Sequence, residues 1–113
     1  MHNLEEWVQE LRSSKTLKIV EGKKDKEALS DFGITNIFTL NKPLYKIVVE
    51  ISEHEKEVIL LLDLDKEGKK LYSYLKRNFE RNGIKVVDKF RLFLFNNTKI
   101  SNIEGIRKYL RDL

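Results

Sequence analysis

Apolar residues in this chain follow two patterns that alternate from one end to the other. Helical spacing, with apolar residues three or four positions apart, predicts helices over about 3–13, 25–32, 43–51, 66–82 and 102–112. Short continuous apolar runs predict strands over 17–20, 34–40 and 57–62, and one or two more over 84–87 and 90–95. Because strands and helices alternate, the sequence predicts an α/β sandwich with a mainly parallel sheet.

Local signals refine this picture at several points. The strand over 57–62 is apolar on both faces, as expected for a central parallel strand. Asn3 and Glu6 form a capping-box pattern at the first helix, and Trp7 is predicted to pack that helix onto the sheet. Ser101 and Glu104 suggest a second capping box, which opens a terminal helix whose predicted inward stripe is Ile103, Ile106, Leu110 and Leu113.

Composition narrows the class of protein. A chain of 113 residues fits one domain over 1–113, and the absence of Cys excludes a disulfide scaffold, a thiolate metal site and a Cys nucleophile. No apolar run is long enough to span a bilayer, and the N-terminus lacks a signal-peptide pattern, so no membrane association and a cytoplasmic location are expected. The net charge of +4 is compatible either with a polyanionic partner or with a lysine-rich solvated surface.

Two acidic phrases follow the first and third predicted strands. Glu21 comes directly after the first strand, and Asp63 and Asp65 come directly after the third. Carboxyl ends of parallel strands lie at the edge of the sheet where open α/β folds bind ligands, so neighbouring strands would bring these carboxylates into one cleft. Oxygen ligands suit Mg²⁺ or Mn²⁺, and the sequence therefore points to a metal site that faces a phosphorylated substrate.

The residues around these carboxylates support the same hypothesis. Gly22 and Gly68 remove side-chain bulk next to the acids, and Lys23 and Lys24 lie at a helix N-terminus, which favours phosphate. Three further lysines project from the start of the helix over 66–82 and could bind phosphates that flank the reacting one; they are Lys66, Lys69 and Lys70.

A structural interpretation of the same residues stays open. Asp65 and Asp25 could each cap a helix, Asp63 could be a solvated strand end, and Glu21 could pair with a lysine. The basic face of the helix over 66–82 could be an ordinary solvated surface.

The two acidic phrases together resemble the Toprim family, which is shared by topoisomerases, bacterial-type primases, nucleases and recombination-repair proteins. That pattern has a Glu-Gly with a downstream Asp after the first strand, matched by Glu21, Gly22 and Asp25, and an Asp-x-Asp with a later Gly after the third strand, matched by 63–68. The resemblance covers roughly residues 16–95. It implies a Rossmann-like three-layer sandwich with four to five strands.

By the same resemblance, Glu21 is a general acid or base, and Asp63 and Asp65 are Mg²⁺ ligands, with Glu21 also a candidate metal ligand. The chain departs from the topoisomerase pattern because residue 67 is Glu rather than a third Asp. Without a tyrosine domain or a cysteine zinc module, it resembles small stand-alone, primase-like Toprim proteins, and the nuclease that matures 5S ribosomal RNA is the nearest functional analogue.

Three hypotheses about function follow. The first is a Mg²⁺-dependent nuclease that acts on RNA or DNA. The second is a non-catalytic nucleic-acid- or RNP-binding module that acts with a protein partner supplying specificity. The third, a phosphatase of the haloacid-dehalogenase type, is disfavoured because its Asp-x-Asp follows the first strand, whereas Asp63 and Asp65 follow the third.

Overall fold

The alternating pattern folds into one parallel sheet with helices on both faces. The computed structural model describes residues 1–110. In chain order its elements are α1 (Leu4–Ser13), β1 (Leu17–Val20), α2 (Lys23–Ser30), β2 (Ile37–Thr39), α3 (Leu44–His54), β3 (Glu57–Leu60), α4 (Lys66–Arg81), β4 (Lys85–Val87), α5 (Lys89–Asn97), a 3₁₀ turn (Ile103–Gly105) and α6 (Ile106–Leu110). The predicted α/β class is confirmed.

The strands lie in the order β2-β1-β3-β4, and all three neighbouring pairs are parallel. The chain moves one way from β1 to β2 and the opposite way from β2 through β3 to β4. The order therefore reverses at the β1–β3 pair, where Ile19 lies opposite Leu60. Open α/β sheets bind ligands outside the carboxyl ends of the strands at such a reversal.

Two apolar cores lie on opposite faces of the sheet, and β3 with the two residues after it supplies both. Val58, Leu60 and Leu62 face the core that includes α3 and α4, whereas Ile59 and Leu61 face the core that includes α1, α2, α5 and α6. All five side chains are nearly or completely buried. The period-two alternation of a strand thus explains why this run has no polar face.

The strand predicted over 90–95 is wrong, because these residues form part of α5. Phe90 and Leu94, one helical turn apart, are buried against the core that contains α1. Arg91 between them is also buried, and its guanidinium donates to two backbone oxygens of the segment after β3. A short run that is apolar on both sides does not distinguish a buried strand from a helix by periodicity, and here the tertiary contacts decided.

Several predicted boundaries also shift. The helix predicted over 25–32 begins at Lys23, with Gly22 as its N-cap, so Asp25 is not the N-cap. The terminal helix begins as the 3₁₀ turn, capped by Asn102 rather than Ser101. Residues 111 and 112 of that predicted helix, and the predicted inward position of Leu113, lie outside the described residues.

No helix within residues 1–110 combines the length and the apolar character needed to cross a bilayer.

Trp7 is expected to be a major source of stability. Its side chain is completely buried, its ring packs edge-on against Phe90 with centroids 6.4 Å apart, and its Nε1–H donates to the Phe90 carbonyl at 2.9 Å. We expect Trp7→Ala to lower the free energy of unfolding by about 3–5 kcal/mol, measured by urea denaturation. The control Tyr45→Ala, at an exposed ring, should change it by less than about 0.5 kcal/mol. Equal effects of the two variants would contradict this assignment.

Candidate functional site

The carboxyl ends of β1 and β3 bring Glu21 next to Asp63. Glu21 directly follows β1, and its Oε1 accepts a hydrogen bond from the Asp63 backbone N–H at 3.1 Å. Leu61 N–H donates to the Ile19 carbonyl at 2.8 Å, which continues the β1–β3 pairing up to this edge. The two acidic phrases therefore meet where the strand order reverses, as their positions after the strands predicted.

Each of the three predicted carboxylates is oriented by one backbone N–H. Glu21 accepts from Asp63 N–H, Asp63 Oδ1 accepts from Ile103 N–H at 2.8 Å, and Asp65 Oδ1 accepts from Gly68 N–H at 2.8 Å. Among residues 1–110, none of the three forms an ion pair. The second oxygen of each carboxylate has no hydrogen-bond partner in that part of the chain, so it remains open to a ligand.

The predicted helix cap at Asp65 is present alongside this geometry. Asp65 is the N-cap of α4 and its side chain is exposed. Asp25, the third residue of α2, is buried, and its Oδ2 accepts from the Gly22 backbone N–H at 3.1 Å. Asp25 thus closes the first turn of α2 from inside the helix and supports the loop that carries Glu21.

The site concentrates negative charge in a partly buried position. Burial raises the pKa of Asp63 to about 6, the hydrogen bond from Ile103 opposes the rise, and the charges of Asp25, Asp65 and Glu104 add to it. Burial and then the charges of Asp63, Asp65 and Asp25 likewise raise the pKa of Glu21. A cation at this edge would offset the repulsion that these shifts express.

Gly68 is required by a close approach of the backbone. A Cβ at residue 68 would overlap the Asp63 carbonyl oxygen, well inside van der Waals contact. Gly22 is different, since a Cβ there would meet nothing closer than Asp25 Oδ2 at 3.9 Å. The prediction that glycine makes room at the site therefore applies sterically to Gly68 and not to Gly22.

Arg91 forms hydrogen bonds with the backbone of the segment that carries the aspartates. Its Nε donates to the Leu62 carbonyl and its second terminal nitrogen to the Asp63 carbonyl, both at 3.1 Å. The guanidinium lies 4.3 Å from the centre of the Tyr72 ring, and the Tyr72 hydroxyl donates to Asp88 Oδ2 at 2.8 Å. Arg91 is therefore part of the support of the site and is buried rather than part of the exposed basic surface.

The turn before α6 closes the site from the other side. Leu64 N–H donates to the Ser101 carbonyl at 2.7 Å, next to the bond from Ile103 to Asp63. Glu104, which the sequence assigned to a capping box, adds negative charge near Asp63 and Asp25. Sequence patterns missed these contacts; the one available signal was a lone arginine, Arg91, inside an apolar run.

The predicted phosphate-binding lysines flank the carboxylates on two helices. Lys23 and Lys24 lie in the first turn of α2, and Lys66, Lys69 and Lys70 lie in the first turns of α4. All five are exposed, and none forms an ion pair among residues 1–110. Both helices begin at the sheet edge that carries the acids, so their basic side chains lie on either side of it.

The donor set fits a hard divalent cation that keeps water or substrate ligands. The open groups are carboxylate oxygens, the ligands that Mg²⁺ and Mn²⁺ prefer. Within residues 1–110, no group of three or more Asp, Glu or His side chains is placed so that it could hold a metal ion. This is compatible with Mg²⁺, which usually binds through one or two carboxylates and completes its shell with water and phosphate.

Comparison with known proteins identifies relatives of this chain. A family model described as the Toprim domain matches residues 15–88. The protein UPF0292 MJ1624 of Methanocaldococcus jannaschii is 38% identical over 81% of this chain and 76% of its own length. UPF0292 protein PF1724 of Pyrococcus furiosus is 41% identical over 59% of this chain and 52% of its own length.

A solved structure of a protein from Aquifex aeolicus shares the architecture. It is 37% identical, with a TM-score of 0.87, and the superposition covers 94% of this chain and 100% of that one. Arg91 and Ile103, which hold the Asp63 segment, lie beyond the end of the family match at residue 88 but within the length of fold that the two proteins share.

Gly68→Ala should destabilise the protein although alanine favours helices. The gain in helix propensity is about 1 kcal/mol. A Cβ that overlaps the Asp63 carbonyl must displace the segment after β3, with a typical overpacking cost of about 1–3 kcal/mol. Urea denaturation should show a net loss. Gly22→Ala is the matched control and should cost less than about 1 kcal/mol. A Gly68→Ala variant more stable than the wild type would contradict the close approach.

The metal-free protein should lose stability as Asp63 ionises. Because the folded chain raises the pKa of Asp63 to about 6, folding favours the protonated carboxyl, and the free energy of unfolding should fall as pH rises from about 4 to about 6. Asp63→Asn removes this titration and keeps an oxygen for Ile103 N–H. In EDTA, it should be more stable than the wild type near neutral pH, with the difference vanishing near pH ~4.

Denaturation curves of the wild type, Asp63→Asn and the control Glu53→Gln measure this pH dependence. Glu53 is an exposed residue of α3 and should show no such change. A difference between the wild type and Asp63→Asn that is constant over the whole pH range would show that Asp63 has an ordinary pKa.

Proposed function

The chain belongs to the Toprim domain family, and from that premise we propose that it carries out Mg²⁺- or Mn²⁺-dependent phosphodiester chemistry on nucleic acid, as a nuclease of the RNA-processing type. Membership by itself associates the chain with metal-dependent, nucleic-acid-related function. The observation that supports the finer proposal is that Glu21, Asp63 and Asp65 are each fixed by one backbone N–H and each keep one open oxygen.

Asp63 and Asp65 are the proposed metal ligands. Their free oxygens lie at the ends of side chains whose other oxygens are already held, so little side-chain freedom is lost when a cation binds. A bound Mg²⁺ would polarise the phosphate and stabilise charge on the attacking and leaving oxygens.

Glu21 is the proposed proton-transfer group. Its raised pKa brings its proton affinity closer to the operating pH, where a general acid or base is most effective. Its position beside Asp63 lets it receive a proton from an attacking water or hydroxyl, or return one to the leaving oxygen. The exposed lysines Lys23 and Lys24 on one side, and Lys66, Lys69 and Lys70 on the other, would neutralise the flanking phosphates.

A non-catalytic nucleic-acid- or RNP-binding module, acting with a protein partner, is the second candidate. It is favoured by the fact that all three carboxylates already have a structural role as acceptors of backbone N–H groups. Salt-dependent RNA binding that survives Asp63→Asn and Asp65→Asn, with no turnover, would support it over the nuclease.

The nuclease proposal is tested with labelled single- and double-stranded RNA and DNA in Mg²⁺ or Mn²⁺. We expect cleavage of at least one substrate and a loss of about 10²–10⁴-fold in rate for Glu21→Gln, since proton transfer typically contributes that much. Glu27→Gln is the control, because Glu27 is an exposed residue of α2 that makes no contact with the site carboxylates among the described residues.

A metal-binding measurement gives an independent readout. Titration of Mn²⁺ followed by paramagnetic resonance should show weaker binding for Asp63→Asn by roughly 10-fold or more, and no change for Glu27→Gln. The proposal fails if no substrate is cleaved with either metal, or if Glu21→Gln retains the wild-type rate.

A further inference from the structure

The outer face of α5 exposes two large apolar side chains next to the proposed site. Leu92 and Phe95, three residues apart and therefore on one side of the helix, are 45% and 57% exposed. Their neighbours Phe90 and Leu94 are buried. The packing of α5 onto the core therefore leaves the Leu92 and Phe95 side chains uncovered.

A basic groove on α4 adjoins this apolar face. Lys69 Nζ lies 5.8 Å from the centre of the Phe95 ring, so the two surfaces are continuous. The groove has a volume of about 660 Å³, and its lining residues are Lys66, Lys69, Lys70, Ser73, Tyr74 and Arg77. Among residues 1–110, none of the four basic side chains of this groove forms an ion pair.

The groove begins at Lys66, the residue after Asp65. Asp65 is the N-cap of α4, and Lys66, Lys69 and Lys70 follow it within the first two turns. A polyanionic chain that follows these lysines would therefore run past Asp65, with the Phe95 ring beside it.

We propose that Phe95 on α5 and the basic groove on α4 form a platform for single-stranded nucleic acid, on which a base stacks against Phe95 while the adjacent phosphates contact Lys66, Lys69 and Lys70. The class of ligand rests on the proposed function. An exposed ring beside basic side chains is what binding of single strands requires, because a π-face stacks with any unpaired base and the cations follow the backbone.

Duplex nucleic acid and a second copy of the chain fit this surface less well. The bases of a duplex are already stacked on each other, so Phe95 would gain no partner there. A second copy would bring four basic side chains against four others, and like charges facing each other oppose association. A single-stranded polyanion matches both the ring and the charge.

Fluorescence polarisation in EDTA with labelled oligo(U), oligo(dT) and duplexes of the same length tests the platform. Because the loss of one stacked base is typically worth this much, Phe95→Ala should weaken the affinity for single strands by about 5-fold to 100-fold. The affinity for duplexes should change by less than about 2-fold. Phe95→Trp should keep wild-type binding. Tyr45→Ala is the matched control, because Tyr45 is equally exposed (61%) but lies on α3, across the sheet from α5.

Substitution of the lysines should act differently from substitution of the ring. Lys69→Ala and Lys70→Ala should weaken the binding of single strands and of duplexes alike. Each should reduce the magnitude of the slope of log affinity against log salt by about one. The platform is overturned if Phe95→Ala binds single strands as tightly as the wild type, or if Tyr45→Ala causes the same loss. A wild-type dimer in light scattering that Phe95→Ala converts to a monomer would instead assign this face to self-association.

Because binding is measured without metal, its outcome is separate from that of cleavage. Cleavage with no effect of Phe95→Ala on single-strand affinity would overturn the platform and leave the nuclease proposal standing. Phe95-dependent binding of single strands without cleavage by the wild type would support the platform and overturn the nuclease proposal.

Discussion

The position of the backbone after β3 is the constraint on which the candidate site depends. Arg91 donates hydrogen bonds to the backbone carbonyls of Leu62 and Asp63, and the Asp63 N–H donates to Glu21. Gly68 packs against the Asp63 carbonyl so closely that any side chain there would displace it. The Asp63 side chain then accepts from Ile103. Four separate parts of the chain therefore fix one residue, which would preorganise the proposed metal ligand.

This arrangement holds like charges together, and among residues 1–110 none of the three carboxylates forms an ion pair. Burial and neighbouring carboxylates raise the pKa values of Asp63 and Glu21, which means that the folded metal-free chain is destabilised by their ionised forms. Such strain is typical of functional sites, where stability is lost in exchange for binding or chemistry. The buried guanidinium of Arg91, with the aromatic face of Tyr72 beside it, donates to the backbone carbonyls of Leu62 and Asp63 and not to the carboxylates.

The segment after the family match completes the site. The Toprim match ends at residue 88, yet α5 supplies Arg91 and the 3₁₀ turn supplies Ile103 and the charge of Glu104. The same α5 presents Phe95 to the basic groove of α4. One helix thus supports the acids through its buried face and forms the proposed binding surface with its exposed face, which links the position of the site to the position of a substrate.

Local sequence determined the elements that carry the site, and tertiary structure decided how they meet. The apolar runs before Glu21 and Asp63 identified buried parallel strands, because strand periodicity and the position of carboxylates at strand ends are local properties. The strand predicted over 90–95 was wrong, since this segment forms a helix whose Phe90 and Leu94 pack into the core that contains α1 and whose Arg91 donates to a carbonyl after β3. The roles of Arg91, Ile103 and Glu104 depend on interactions between residues that are at least 28 positions apart in the sequence. No local pattern encodes such interactions.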